Sequence, residues 1–364
     1  MKKRQPDYLF ISIIVIIVLF GLVVLFSASM IPSQDVFGQG HYFLKHQLFY
    51  GVLPGLFLFF IFQRFYYKHW QKIIFPLMIF GIVLLCLVFI PEVGHSHGGA
   101  KRWIKLGGFS LQPFEFVKLI FVVYLSALLS KKGKSEQVIK ESLLPFLVIA
   151  GIVSFLVLCQ PNVSALMIFF LIAGIVYFLA EAKILHIMAL IGVGLAGLVA
   201  FIKTTGYNIS RLTVYLHPEI DPQGVGYQIN QALLAIGSGG LFGLGLSHSI
   251  QKYHYLPEII GDSIFAIIAE ELGLLGAGVL IILFIAFAWR GFKIAKRASD
   301  KFGYLLAGSI TAWLVFQAFI NITSISGLIP ITGVPLPFIG YGGSAMAVSL
   351  AAVGILVNIS KYSK

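Results

Sequence analysis

The sequence predicts an all-α polytopic membrane protein, and composition, hydropathy and the length of the apolar runs lead to this prediction. The chain has 364 residues, of which 59% are hydrophobic and 11% are charged. An ordinary soluble domain carries about 25% charged residues. A water-soluble globule cannot hide so much apolar surface, because its exterior must stay largely polar. The composition therefore excludes a cytosolic enzyme, a nucleic-acid-binding module and a disordered protein.

About ten apolar runs are long enough to cross a membrane as helices. A helical span needs about 20 apolar residues, whereas a strand of a membrane barrel alternates over about ten. The expected spans lie near residues 8–29, 43–63, 73–90, 114–130, 143–160, 162–180, 184–202, 263–289, 303–325 and 341–359. The first run is too long for a signal peptide, and no small-residue cleavage site ends it. The chain is expected to form one membrane domain, 1–364.

The distribution of basic residues predicts the orientation of these spans. With an even number of spans, most of the 26 Lys and Arg residues fall on the side of the N-terminus. The positive-inside rule then places both termini in the cytoplasm. The net charge of +12 reflects these loops and their anionic lipid surface rather than a nucleic-acid partner. Absence of an internal repeat gives no support to an inverted-repeat transporter.

Two segments on the external side are longer than a connection needs. They span residues 91–113 and 203–262. Long loops in compact proteins tend to be functional or disordered, and the second is too rich in Tyr, Leu and Ile to be disordered. A third external segment, 329–343, is uncharged and rich in Pro and Gly. It predicts a shaped re-entrant segment, or else a plain hairpin.

The long loop contains a candidate helix and a glycine-rich stretch. Ile229, Ala232, Leu233 and Ile236 recur at helical spacing, which predicts an interfacial helix. Five glycines follow within residues 237–245. They allow either a tight turn in which two backbones approach closely or a flexible connection.

Several charged residues lie where a membrane makes them costly. Glu115 and Lys118 share one helix face, as a self-neutralising ion pair or as the wall of a polar cavity. Asp262, Glu270 and Glu271 form a local group of carboxylates. Asp262 could cap the next helix, or it could serve as a base or metal ligand. The two glutamates could equally be part of helix packing.

External basic residues form a second candidate group. Its members are Lys101, Arg102, Lys105, Arg211 and Lys252. They are either ordinary loop charges or ligands for a phosphate or pyrophosphate group. The histidines are scattered through the loops without the spacing of a zinc site. Cys86 and Cys159 lie inside apolar runs and are interpreted as small core residues.

Five ordered segments resemble the SEDS family, the RodA and FtsW proteins of shape, elongation, division and sporulation. The segments read KRWIKLGGFSLQPFEFVK (101–118), LCQPNVSALM (158–167), GYQINQALLAIGSGGLFGLGL (226–246), QKYHYLPEIIGDSIFAIIAEELG (251–273) and GLIPITGVPLPFIGYGGSA (327–345). The resemblance covers essentially the whole chain. The third segment and the start of the fourth are more similar to the FtsW branch than to the RodA branch.

The resemblance implies a peptidoglycan glycosyltransferase at the outer face of the cytoplasmic membrane. Such an enzyme joins lipid II disaccharide units into glycan strands in an inverting reaction, here for septal synthesis in division. A RodA-type elongation polymerase and a lipid II flippase or transporter remain alternatives, as does a scaffold that only recruits partners. Expected partners are lipid II, a class B penicillin-binding transpeptidase, and other divisome or elongasome membrane proteins.

The resemblance also implies roles for individual residues. Asp262 takes the catalytic position, and Mg²⁺ or Mn²⁺ is a candidate cofactor there. The expected substrate-binding residues are Arg102, Lys105, Glu115, Lys118, Arg211, Gln228, Gln231, Lys252, Glu258 and Ser344. The chain departs from the family pattern at Phe114 (usually Ser), at Asn162 (usually Asp), and at Ile260 and Gly261 (usually His-Thr). Because the aspartate is kept, activity is expected.

Overall fold

The described part of the chain forms a bundle of long helices with a small three-stranded sheet. The structure, a computed structural model, describes residues 4–97, 100–106, 109–131, 135–183, 188, 192, 194, 214–216 and 224–363. The first helices are α1 (Tyr8–Phe37), α2 (Tyr42–Gln47), α3 (Leu53–Phe62), α4 (Trp70–Leu87), α5 (Pro113–Leu129), α6 (Ser135–Cys159) and α7 (Val163–Leu179). They are followed by α8 (Val225–Ser238), α9 (Ile264–Lys296), α10 (Lys301–Ile325) and α11 (Gly343–Ser360). A π-helical turn, Leu48–Val52, joins α2 to α3.

The helices confirm the membrane class. Among the described residues, seven helical segments are long and apolar enough to cross a membrane: Tyr8–Phe37, Tyr42–Phe62, Tyr67–Leu87, Glu141–Cys159, Ile264–Lys296, Lys301–Ile325 and Gly343–Ser360. The helix Val163–Leu179 is apolar but shorter. Every predicted span except the one near 184–202 falls on a described helix, and that one lies almost wholly outside the described residues. The total number of spans stays a prediction.

The centre of the bundle is formed by the last two helices. In the most apolar 18-residue stretch of α11, 94% of the residues are buried, and in that of α10 the share is 78%. The corresponding share in α4 is 28%, and that helix exposes Phe75 and Ile79. Apolar side chains on the outside of a helix bundle are stable in lipid, where every backbone group is already paired within its helix. The outer helices therefore present the surface expected of a membrane protein.

The segment 91–113, which the sequence treats as a loop, contains a three-stranded antiparallel sheet. Its strands are β1 (Gly94–His97), β2 (Ala100–Leu106) and β3 (Phe109–Leu111), in the order β1-β2-β3. Along β2, Ala100 and Ile104 are buried whereas Lys101 and Lys105 are exposed. This arrangement is that of a half-buried strand, in which residues two apart share one face.

A buried non-helical segment joins α10 to α11, as the re-entrant interpretation of 329–343 predicts. Val334, Leu336, Phe338 and Ile339 are all buried. Buried backbone carbonyls need hydrogen-bond donors, and two side chains of α10 supply them. Gln317 donates to the Pro335 carbonyl at 3.0 Å, and an asparagine one turn later donates to Val334. A plain exposed hairpin does not describe this segment.

Candidate functional site

Asp262 lies in a tight turn immediately before α9. The Glu258 carbonyl accepts hydrogen bonds from the amides of Gly261 and Ser263, both at 3.1 Å, and these two bonds close the turn. Asp262 itself is half-buried. The residue at the cap position of α9 is Ser263, which makes no side-chain capping bond. The interpretation of Asp262 as the helix cap is therefore wrong.

Three neighbouring elements hold this turn in place. Asn321 of α10 donates its amide hydrogens to the carbonyls of Asp262 and Val334, both at 2.8 Å. The amide of Tyr341 donates to the Ile260 carbonyl at 2.7 Å. Gln228 of α8 donates to the Ser263 hydroxyl at 3.1 Å. These contacts fix the backbone on both sides of Asp262, which fixes the direction in which its carboxylate leaves the chain.

Gln228 and Gln231 both belong to α8. Gln228, expected to bind substrate, is bonded to the turn that carries Asp262, and Gln231 is half-buried one turn further on. The prediction of which residues form the apolar face of α8 is only partly correct. Ala232 is buried as expected, but Leu233 is 44% exposed and Ala235 takes its place in the core. The small alanines allow α8 to pack closely against α9.

Glu115 and Lys118 form a buried ion pair inside the bundle. Their charged atoms are 2.8 Å apart, and the two side chains are 5% and 3% exposed. The Lys118 ammonium also donates to Gln317 Oε1 at 3.2 Å and lies 5.2 Å from the centre of the Trp313 ring. The Trp313 indole donates to the same Gln317 oxygen at 2.9 Å. Because Gln317 also binds the buried segment at Pro335, the pair supports the segment that faces the Asp262 turn.

Ser344 and Arg102 both bind backbone groups. Ser344 is buried, and its hydroxyl accepts the Gln112 amide at 3.0 Å, which ties the start of α5 to α11. The Arg102 guanidinium donates to the carbonyls of Gln160, at 3.2 Å, and Pro161. The sheet is thereby tied to the connection between α6 and α7.

Asn162, one of the departures from the family pattern, has a local role. It occupies the N-cap position of α7, and its side-chain oxygen accepts the Ala165 amide at 3.2 Å. Asp and Asn are about equally good at this position. The capping function of the usual aspartate is therefore retained even though its charge is lost.

Lys252 lies in a buried cluster with the two glutamates of α9. Lys252 is 1% exposed, and its ammonium is 3.3 Å from the Glu271 carboxylate. Glu271 also accepts the Ser27 hydroxyl at 2.6–2.7 Å. Glu270 accepts the Ile250 amide at 2.9 Å and the Ser249 hydroxyl. This burial and pairing argue for a structural role, so the expectation of Lys252 as an exposed phosphate ligand does not fit the structure.

The glycine-rich stretch makes the close backbone approach that the sequence left open. The amides of Leu244 and Gly245 donate to the carbonyls of Glu270 and Glu271, both at 3.0 Å. At Gly273 the backbone of α9 leaves the helical region, with φ 65° and ψ −165°. A Cβ atom at Gly243 would lie 2.2 Å from the Glu271 carbonyl oxygen. The first part of α9, next to Asp262, is thus a separate short helix clamped by this stretch.

Of the remaining predicted site residues, two are exposed and one is not described. Lys105 is exposed on β2, and Glu258 is exposed in the turn that carries Asp262. Arg211 lies outside the described residues. Within the described part of the chain, no three His, Cys, Asp or Glu side chains come close enough to share a metal ion. A divalent ion at Asp262 would therefore need most of its oxygen ligands from the substrate.

Sequence reasoning missed three residues that organise the site, Asn321, Gln317 and Tyr341. Asn321 and Gln317 are uncharged polar side chains one turn apart in a predicted span. Polar groups within a span are expensive and usually face partners in the interior, so this spacing was a usable signal. The Tyr341 contribution is a backbone amide, which no side-chain pattern could reveal.

Comparison with known proteins gives consistent matches over the full chain. The family model for FtsW, RodA and SpoVE, described as "Cell cycle protein", matches residues 7–364. The stage V sporulation protein E of Bacillus subtilis is 40% identical, with coverage of 100% of this chain and 99% of that protein. The probable peptidoglycan glycosyltransferase FtsW of Trichlorobacter lovleyi is 37% identical, with coverage of 99% and 94%.

Solved structures share the fold. One chain of a peptidoglycan synthase complex, reported for its coordination of polymerization and crosslinking, is 25% identical with a TM-score of 0.78, covering 98% of this chain and 97% of that one. The rod shape-determining protein RodA of Thermus thermophilus is 25% identical with a TM-score of 0.71, covering 99% and 98%.

Proposed function

Since the chain belongs to the FtsW, RodA and SpoVE family, we propose that it is a peptidoglycan glycosyltransferase that joins lipid II disaccharide units into glycan strands. Relatives 37–38% identical over nearly their whole length carry the name probable peptidoglycan glycosyltransferase FtsW. The observation that carries the proposal is the geometry of Asp262, a half-buried carboxylate on a turn fixed from three sides. A rigidly placed carboxylate is what a general base requires.

Asp262 would accept the proton of an acceptor sugar hydroxyl as that oxygen attacks the anomeric carbon of the donor. The new bond forms on the face opposite the leaving pyrophosphate, so an α-linked donor gives a β-linked product. Negative charge grows on the departing pyrophosphate. Lys105 is exposed on β2, in a sheet that meets the start of α11 as the Asp262 turn does, and is suited to stabilise that charge. Arg102 and Arg211 are proposed to join it.

A divalent cation fits this site only as an ion shared with the substrate. Mg²⁺ is commonly held by one or two carboxylates together with substrate phosphates. Asp262 would supply an oxygen, and Mg²⁺ or Mn²⁺ so held would neutralise charge on the pyrophosphate. Glu258 is exposed in the same turn and is the carboxylate nearest to Asp262 along the chain.

We place the site on the outer face of the cytoplasmic membrane, with both termini in the cytoplasm. The clustering of basic residues on the opposite side from Asp262 supports this orientation. A class B penicillin-binding transpeptidase is the proposed partner, supported by the likeness to a chain of a synthase complex that couples polymerization with crosslinking. A division-type role is supported by relatives named FtsW, which are 37–39% identical to this chain.

A purified polymerisation assay tests the proposal. The wild-type protein, given lipid II with Mg²⁺ or Mn²⁺ and with or without a cognate transpeptidase, is expected to form glycan strands. A second assay in vesicles measures movement of lipid II between leaflets. Movement without any new glycosidic bond, under conditions where a characterised relative polymerises, would contradict the proposal and favour a flippase.

A further inference from the structure

A basic cleft lies at the end of the bundle opposite Asp262. It has a volume of about 270 Å³ and is bounded by the segment before α1, the end of α9 and the end of α11. The continuous part of α9 after its break at Gly273 is ~35 Å long at 1.5 Å per residue, and it lies between the cleft and the Asp262 turn. The cleft is thus independent of the proposed catalytic site.

Cationic side chains dominate the cleft. Arg4, Arg290, Lys293 and Arg297 line it, and Asp7 is the single acidic residue among the described residues of its lining. Arg290 is already paired, because its Nε lies 2.8–3.0 Å from the two Asp7 carboxylate oxygens. The other three cations therefore exceed the negative charge that the lining supplies.

The cleft is built from fixed parts of the chain. The Arg4 amide donates to the Lys361 carbonyl at 2.8 Å, and the Asp7 amide donates to the Ser360 hydroxyl at 3.2 Å. The Arg290–Asp7 ion pair then joins this N-terminal segment to α9. These contacts hold the basic side chains around one space rather than leaving them as separate surface charges.

An apolar stripe leads from the cleft along the outside of α9. Ile282, Ile285 and Trp289 are exposed, and their spacing places them on one helix face with Lys293. The Lys293 ammonium lies 5.2 Å from the centre of the Trp289 ring. Exposed Tyr8 lines the cleft from the side of α1. A tryptophan and a tyrosine beside basic residues are typical of the membrane–water interface.

We propose that this cleft binds the headgroup of an anionic phospholipid, with the acyl chains lying along the stripe on α9. A phosphodiester carries a negative charge and several acceptor oxygens, which cationic side chains bind, and basic pockets between helices on the cytoplasmic side suit anionic headgroups. The adjoining apolar stripe favours a lipid over a free phosphate ion. The inference depends on the proposed orientation of the chain and not on its glycosyltransferase activity.

Native mass spectrometry of the detergent-purified full chain tests the proposal through competition between phosphatidylglycerol and phosphatidylcholine. The wild-type protein is expected to retain phosphatidylglycerol preferentially. Lys293→Gln with Arg297→Gln should reduce this preference at least about tenfold. The matched control, Lys296→Gln with Lys301→Gln, removes the same charge from exposed residues at the same end that do not line the cleft.

The control and a phosphate arm decide the interpretation. An equal loss of preference in both double variants, or no loss in either, would overturn the proposal. Full displacement of phosphatidylglycerol by millimolar inorganic phosphate would assign the cleft to a free anion instead. If the double variant melts well below the wild type, the single change Arg297→Gln at the exposed end of α9 replaces it and should lower the preference in the same direction.

Discussion

Asp262 and the pair Glu270 and Glu271 are neighbours in the sequence but differ in their surroundings. The glutamates are each 1% exposed and are held by hydroxyl, amide and ammonium donors. Asp262 is half-buried, and the contacts around it hold its backbone. A buried carboxylate with such a set of donors stabilises a fold, whereas one presented on a fixed backbone can meet a substrate. The difference in burial and bonding supports a structural role for the glutamates and the catalytic role proposed for Asp262.

The largest expected effect on stability comes from Glu271→Gln. The change leaves the Lys252 ammonium buried without its counter-charge, and breaking a buried pair in this way costs about 3–5 kcal/mol. Thermal unfolding in detergent measures the loss. Lys252→Met combined with Glu271→Leu should recover much of it, because apolar residues of similar size replace a buried pair at little cost. A Glu271→Gln variant that melts like the wild type would contradict the structural role of Glu271.

Gly243→Ala should give the next largest loss of stability. Its φ is +79°, and the new Cβ atom would meet the Glu271 carbonyl oxygen. A non-glycine residue in the left-handed region costs about 1–2 kcal/mol before any clash is counted. Gly237→Ala in α8 is the matched control, since a Cβ atom there meets nothing within 4 Å. Melting temperatures should fall for the first variant and hold or rise for the second; equal shifts would mean that the close approach is unimportant.

Asn321→Ala should weaken the Asp262 turn with a smaller effect on stability. It removes two 2.8 Å hydrogen bonds and leaves the Asp262 and Val334 carbonyls without this donor, at a cost of about 1–3 kcal/mol. Polymerisation should fall more steeply than the melting temperature, because the turn loses its support. Thr323→Val on the same helix breaks only local bonds and should retain activity. Full activity in Asn321→Ala would show that the turn needs no such support.

The smallest expected effect on stability comes from Asp300, the N-cap residue of α10. Burial opposes ionisation, but bonds from the Tyr67 hydroxyl, the Gly303 amide and Lys68 hold the pKa of Asp300 below its usual range. The stabilisation is therefore present above the ordinary carboxyl pKa and fades as the pH falls through the lowered value. Asp300→Asn should cost about 1 kcal/mol near neutral pH. The difference in melting temperature between Asp300→Asn and the wild type should become smaller as the pH is lowered. A difference that grows on acidification would contradict this.

The sequence predicts the membrane class and most helices because long apolar runs have one stable form in lipid. The sequence also singles out Asp262 and the Glu115–Lys118 pair, since ionisable residues at or within a predicted span are rare. It does not predict the partner of Lys252. The contacts of Glu271 join residues 27, 252 and 271, and no local pattern encodes such a distant meeting.

The break in α9 was hidden for a related reason. The residues around Gly273 continue an apolar helical pattern, and the helix is interrupted only because a second backbone segment approaches it. The five glycines of residues 237–245 indicated that a close backbone approach was possible, but not which element the stretch would contact. Packing between distant segments decided both features.

The most direct test of the central claim is the rate of lipid II polymerisation by purified Asp262→Asn, measured together with its melting temperature. The substitution keeps the size of the side chain but removes the base, so turnover should fall by about 10²–10⁴-fold while melting stays at the wild-type value. Asp35→Asn, at an exposed carboxylate paired with His254, should leave both quantities unchanged. Wild-type turnover by Asp262→Asn, in a folded protein, would contradict the assignment of this carboxylate as the base.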